Sequence, residues 1–280
     1  MTTAEIHYRV SATVRGHFPG RHRSTRGDSG FEFRGHANLL DAPDARRLDL
    51  HASLRDPLQN WIVRVHSERK SVPVTMVADL SASMGFAGAR PKLQVMADFA
   101  ESLAWSVWRN GDSFGFIGCD SAVRQDFLQP QTRTRGAGHA VAAALRVLQP
   151  DGRSAQGLLA AHAYLNRQRS LVFLLSDFHL PLDEVAALLD SLAAHQVVPV
   201  LLWDAREFAL SAPRGLAQVL DPESGARRLV WWRPALRRQW LARQAQRREA
   251  LFQLFSAHRL SPLLLAEGFD ADAVTRHFHA

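Results

Sequence analysis

From residue 72 onward the chain alternates between short, wholly apolar runs and longer stretches whose apolar positions recur every three or four residues. The runs 72–78 (VPVTMVA), 171–176 and 197–203 are apolar nearly throughout, as strands covered on both faces should be. The runs 61–65, 114–119 and 123–128 also read as strands. Between them lie helical patterns. Pro91 suits a first helical turn, and Leu93, Met96, Ala97, Ala100, Leu103, Ala104 and Val107 form one stripe before Asn110-Gly111 stops it. Residues 137–148, 156–166 and 183–195 carry the same period. Strands alternating with helices of this length predict right-handed crossovers and an α/β open, mostly parallel sheet with helices on both faces. Further on, 218–220 and 228–232 flank DPESGA as a hairpin. A long helix runs from Pro234 to about residue 258, then a short strand over 262–265 and a final helix from Asp270.

The first sixty residues break this rhythm. A short alternating run at 6–10 predicts a weak strand, and the Gly/Arg/Ser-rich stretch RGHFPGRHRSTRGDSG predicts an extended arm. The chain thus divides into an N-terminal arm (1–60) and an α/β domain with a C-terminal extension (61–280).

Composition narrows the class. At 280 residues and 46% apolar, the chain can bury a sizeable core and is not wholly disordered. Its one cysteine, Cys119, excludes a disulfide framework or a multi-cysteine zinc site and suits a reducing cytoplasm. No apolar run approaches the roughly 18–20 residues that span a bilayer, and MTTAEIHYRV lacks a signal-peptide apolar region, so a cytoplasmic protein is expected. The net charge of +7 sits mostly after residue 230. Arg237, Arg238, Arg243, Arg247 and Arg248 there make nucleic acid a third-ranked partner, since a basic helix is more often a solvated face.

In open α/β sheets, ligands bind beyond the carboxyl ends of the strands. There the sequence places Asp79-Leu80-Ser81-Ala82-Ser83 after the run 72–78, and Asp177 after 171–176. Ser154 follows in the loop Asp151-Gly152-Arg153-Ser154. Carboxylates and hydroxyls on three loops make an all-oxygen set suited to Mg²⁺, with Mn²⁺ or Ca²⁺ as alternatives. An ion ligated largely by neutral hydroxyls keeps enough charge to take an outside carboxylate. Any one of these loops alone would read as helix capping.

Enzyme patterns fit less well. Gly111-Asp112-Ser113-Phe114-Gly115 matches G-x-S-x-G, but a helix precedes it and a strand follows, the reverse of a nucleophile elbow. Ser81 cannot serve as the general acid that a phosphatase using Asp79 as nucleophile would need. A phosphate-cradling glycine loop is missing from the sequence. A Mg²⁺-dependent hydrolase with an unrecognised acid/base is the runner-up, and His179 lies close to Asp177 in sequence.

The constellation resembles the metal-ion-dependent adhesion site of von Willebrand factor A domains. GRHRSTRGDSGFEF, DARRLDL and WIVRVHSERKSVPVTMVADLSASM further resemble a bacterial von Willebrand factor A-like family of unknown function, typically encoded beside MoxR-type AAA+ ATPases. The resemblance implies a von Willebrand factor A-like fold with the arm packed beside the sheet. It puts Asp79, Ser81 and Ser83 in the first metal loop, Asp177 in the final aspartate role, and Ser154 where the family usually has Thr. Thr132 or Thr134 is a substitute for that second hydroxyl. It also implies a non-enzymatic, metal-dependent interaction module. Such a module would be an adaptor for a MoxR-type ATPase in maturation of, or metal insertion into, a client offering an acidic residue, for example a methanol-oxidation-type dehydrogenase.

Overall fold

The computed structural model describes residues 4–10, 19–23, 32–67, 69–208, 215–220, 225–266 and 268–279. Its N-terminal part holds β1 (Pro19–Arg23), β2 (Glu32–Asn38), the short helix α1 (Leu50–Arg55), β3 (Ile62–Ser67) and β4 (Arg69–Lys70). The α/β part follows as β5 (Pro73–Asp79), α2 (Lys92–Arg109), β6 (Ser113–Cys119), β7 (Val123–Thr132) and α3 (Ala137–Val147). It continues through β8 (Leu171–Ser176), α4 (Leu182–Ser191) and β9 (Gln196–Leu202). The C-terminal part contributes β10 (Gly215–Leu220), β11 (Arg227–Trp232), α5 (Pro234–Ala257), β12 (Leu263–Leu265) and α6 (Ala271–His277).

Six strands form the central sheet in the order β12-β9-β8-β5-β6-β7. All neighbours pair parallel except β7, which returns antiparallel at the edge. The order reverses between β5 and β8, so the loops after these two strands diverge and leave a crevice at their carboxyl ends. Register brings Ala78 opposite Leu175 and Asp79 opposite Cys119. Asp79 and Asp177 therefore meet at the carboxyl end of the sheet, where its two central strands finish.

β5 and β8 are buried at every residue because each face has its own core. Val74, Met76, Phe173, Val198 and Val200 pack on one side with residues of α2, α3 and α6. Val77, Val172, Leu174 and Leu201 pack on the other with α4, α5 and the segment before β8. Alternate side chains of a strand point to opposite faces, so only apolar residues in succession satisfy both cores. This is the open, mostly parallel sheet with helices on both faces that the sequence predicts.

Several local expectations change. Residues 156–166, expected as an α-helix, form a 3-10 segment, Gln156–Tyr164. Its buried side chains Leu158 and Ala161 stand three apart, matching three residues per turn. Its start is pinned where Gly157 N donates to Asp120 O at 2.8 Å. The helix expected over 183–195 stops at Ser191. The run 6–10 forms a strap and not a strand among the described residues. Ile6 is wholly buried, its N–H donating to Ser106 Oγ on α2 at 2.8 Å. The arm is not simply extended either: β1 pairs with β4 and β2 with β3, both antiparallel. Most of RGHFPGRHRSTRGDSG, and residues 221–224 of the expected hairpin turn, lie outside the described residues, although β10 and β11 do pair antiparallel as expected.

The nucleophile-elbow lookalike has a structural job at the opposite end of the sheet. Asp112 is fully buried and accepts from Val72 N at 2.8 Å and from the Tyr8 hydroxyl at 2.5 Å. Gly111 (φ +74) makes the turn out of α2 that a side chain would strain. Among the described residues no helix is long and apolar enough to cross a membrane.

Candidate functional site

Asp79 ends β5 with 1% of its surface exposed. Its Oδ1 accepts from Ser81 N at 2.9 Å and Ser81 Oγ at 2.6 Å, and its Oδ2 accepts from Ser176 Oγ at 2.7 Å. Ser81 Oγ lies 3.1 Å from Ser83 Oγ, and the Ser83 hydroxyl in turn bonds Asp177. Asp79, Ser81, Ser83 and Asp177 are thus joined in one buried network. The donors to the Asp79 carboxylate, Ser81 N, Ser81 Oγ and Ser176 Oγ, are all neutral. Burial, with Asp177 adding repulsion, pushes its pKa up to about 6.

Asp177 is balanced differently. Burial alone would raise its pKa, but His179 and Lys92 overcome that and hold it below the usual range. Lys92 Nζ sits 2.8 Å from Asp177 Oδ2, 2.8 Å from Glu207 Oε2 and 3.4 Å from Ser83 O. One ligand atom each from Asp177, His179 and Glu207 falls within a 4.8 Å cluster. Burial raises the Glu207 pKa against the pull of Lys92. Two carboxylates, Asp177 and Glu207, share the one ammonium here.

The backbone after Asp177 is strained in a way the surroundings enforce. Phe178 has φ +54, a left-handed conformation costly for a bulky residue. Its N–H donates to Ser176 Oγ at 2.8 Å and its ring packs edge-to-face on Phe255, centroids 5.2 Å apart. Arg247 donates to Phe178 O at 2.8 Å and also to Leu180 O. One of the five arginines considered for nucleic acid therefore braces this loop.

Ser154 is half-buried in the neighbouring loop. That loop is fastened to the first one, with Ala82 N donating to Gly152 O at 2.8 Å. Thr132 and Thr134 are not substitutes for it. Thr132 pairs with Phe114 at the amino end of β6, whereas Asp79 pairs with Cys119 at the carboxyl end. Five residues of strand separate the two levels, about 16 Å. Cys119 beneath the site is a free, buried thiol, pushed up to about 12 by burial and by Asp79 and Asp120.

Sequence reasoning missed Ser176, Lys92 and Glu207. Lys92 did carry a signal, being one of only two lysines beside 32 arginines, as did Ser176 through its place at the end of a buried strand. Glu207 carries none, since topology alone brings it to the pocket.

Gly157 fixes how closely the Ser154 loop approaches. A Cβ there would lie 2.4 Å from Ala122 C and 2.5 Å from Ala122 O, backbone atoms that cannot swing aside. Gly157→Ala should lose about 1–3 kcal/mol by overpacking, measured by urea unfolding. A neutral result would show that the β6–β7 turn yields easily.

Residues 42–250 match the family described as "Protein of unknown function DUF58". The chain belongs to this family. An "Uncharacterized protein in moxR 3'region" of Paracoccus denitrificans is 45% identical over 103 residues, covering 35% of this chain and 94% of that protein. Among solved structures, the conserved hypothetical protein BatB from Bacteroides thetaiotaomicron is similar with TM-score 0.46 and 13% identity, over 75% of this chain and 96% of its own. The SpRpn10 VWA domain is similar with TM-score 0.44 and 13% identity, over 74% of this chain and 95% of its own.

Proposed function

We propose that this protein is a non-enzymatic, divalent-metal-dependent interaction module that serves as an adaptor for a MoxR-type AAA+ ATPase. The observation that carries the reading is the buried Asp79 carboxylate, ringed by neutral donors beside Ser81 and Ser83 at the reversal of strand order. A buried anion without an opposite charge is expensive, and a hard cation relieves it. The all-oxygen donor set fits Mg²⁺ or Mn²⁺ by chemistry. Ser81, Ser83, Asp79 and Asp177 would hold the ion, with Ser154 on the adjoining loop. When bound, the ion supplies a positive, open position for a carboxylate of a partner.

The ATPase enters through the Paracoccus denitrificans relative, whose description places it in a moxR 3' region. A client with an acidic residue then completes the reading, in the role of maturation or metal insertion. The arginine supply does not favour nucleic acid over this: Arg247 donates to two backbone carbonyls near the site.

Mg²⁺ at a hundredfold excess over its Kd should stabilise the protein by about 2.7 kcal/mol, because the ion binds only the folded chain. Asp79→Ala should fold and lose that increment in a thermal melt. An unchanged Mg²⁺ response in Asp79→Ala would remove Asp79 from the site. For the adaptor role, a pull-down of the neighbouring MoxR-type ATPase should succeed with Mg²⁺ and weaken with EDTA or with Ser81→Ala/Ser83→Ala. Combining the two should add little, since both remove one contact. Retention that ignores EDTA would separate partner binding from the ion.

A further inference from the structure

Lys92 is placed against local preference. It is the first residue of the 18-residue helix α2, where the helix dipole opposes a positive charge, and it is 4% exposed. The chain uses arginine for 32 of its 34 basic positions, yet lysine stands here. The difference is chemical. A guanidinium is a broad planar fork, whereas an ammonium is a compact point charge with three donors. Three oxygens surround this one: Asp177 Oδ2 and Glu207 Oε2 at 2.8 Å each, and the Ser83 carbonyl at 3.4 Å. With His179 nearby, two of these carboxylates belong to a ligand cluster tight enough for a metal ion. The Lys92 ammonium lies 2.8 Å from both of those carboxylates.

We propose that Lys92 is a tethered cation of this site. It holds Asp177 and Glu207 in the free protein and sets how tightly a divalent ion binds on the Asp79–Ser81–Ser83 side, because both cations share Asp177. The coupling to a divalent ion rests on the function proposed above; the ion pairs that hold Asp177 and Glu207 stand by themselves. A bridge that only fastens α2 to the loop after β9 would give stability without any coupling to ions.

The two lysines of the chain make a direct test possible. Full-length protein labelled with ¹⁵N,¹³C-lysine should show two side-chain signals, Lys92 and Lys70, the latter serving as internal control. Titration with Mg²⁺ should shift the Lys92 signal saturably, with the midpoint found by calorimetry, and leave Lys70 still. In parallel, Lys92→Met should tighten Mg²⁺ binding by about tenfold or more, since a like charge leaves a buried site. Mg²⁺ binding by Lys92→Met but not by wild type would also uphold the tether, with lysine replacing the ion outright, while overturning the metal-dependent function. Equal or weaker Mg²⁺ binding by the variant would overturn the tether and leave the metal reading intact. No binding by either protein would overturn both. If Lys92→Met does not fold, the wild-type signals decide: a Lys92 resonance unmoved at saturating Mg²⁺ overturns the tether.

Discussion

Lys92→Met should cost the metal-free protein about 3–5 kcal/mol, the range for removing one partner of a buried ion pair. Lys92 is 4% exposed and Asp177 1%, so neither charge can turn to water when the other goes. Methionine keeps most of the stem's volume, which confines the loss to electrostatics. Asp177→Asn should cost less, because Lys92 retains Glu207 at 2.8 Å. The double variant should cost clearly less than the sum, with a coupling of about 1–3 kcal/mol, since each single variant already loses the Lys92–Asp177 ion pair. Urea unfolding in EDTA measures all four proteins. Additivity within about 0.5 kcal/mol would mean that the two side chains do not depend on each other.

The parts of this molecule that sequence revealed are those where one local pattern has one physical cause. β5, β8 and β9 were legible because a strand packed on both faces has no room for polar residues. The same strands ended visibly in Asp79 and near Asp177. Direction was less legible. Thr132 offered the right hydroxyl, but β7 runs antiparallel, so its last residues return to the amino end of the sheet, away from Asp79. Nothing in the run 123–128 encodes that reversal. Helical periodicity misread 156–166, where the backbone contact between Gly157 and Ala122 comes with a tighter 3-10 winding. Glu207 reaches Asp177 only because β9 lies beside β8, a fact of the sheet order and not of any neighbouring residue. Lys92 could have been found, because an ammonium at a helix start in an arginine-rich chain breaks two local rules at once. Such breaks are where functional sites are expected.

Phe173→Ala should destabilise by about 3–5 kcal/mol while leaving the ion response in place. Phe173 is fully buried on β8, three residues before the strand end that carries Ser176. Its ring meets Phe99 of α2 edge-on at 5.4 Å and Phe278, beyond α6, at 6.0 Å. Truncation removes those contacts and opens a cavity between a strand and two helices held in separate positions by the rest of the core, so collapse is only partial. The side chain lies on the α2–α6 face of the sheet, away from the Asp79–Ser81–Ser83 network. The Mg²⁺ increment depends only on ion concentration and Kd, so it should add to the lowered stability unchanged. Asp79→Ala should show the converse, a modest stability change and no increment. A loss below about 1 kcal/mol in Phe173→Ala would contradict the packing of α2 and α6 on β8. Disappearance of the Mg²⁺ increment along with the stability would show that the crevice is held open by this aromatic cluster, and that the ion and the core form one cooperative unit.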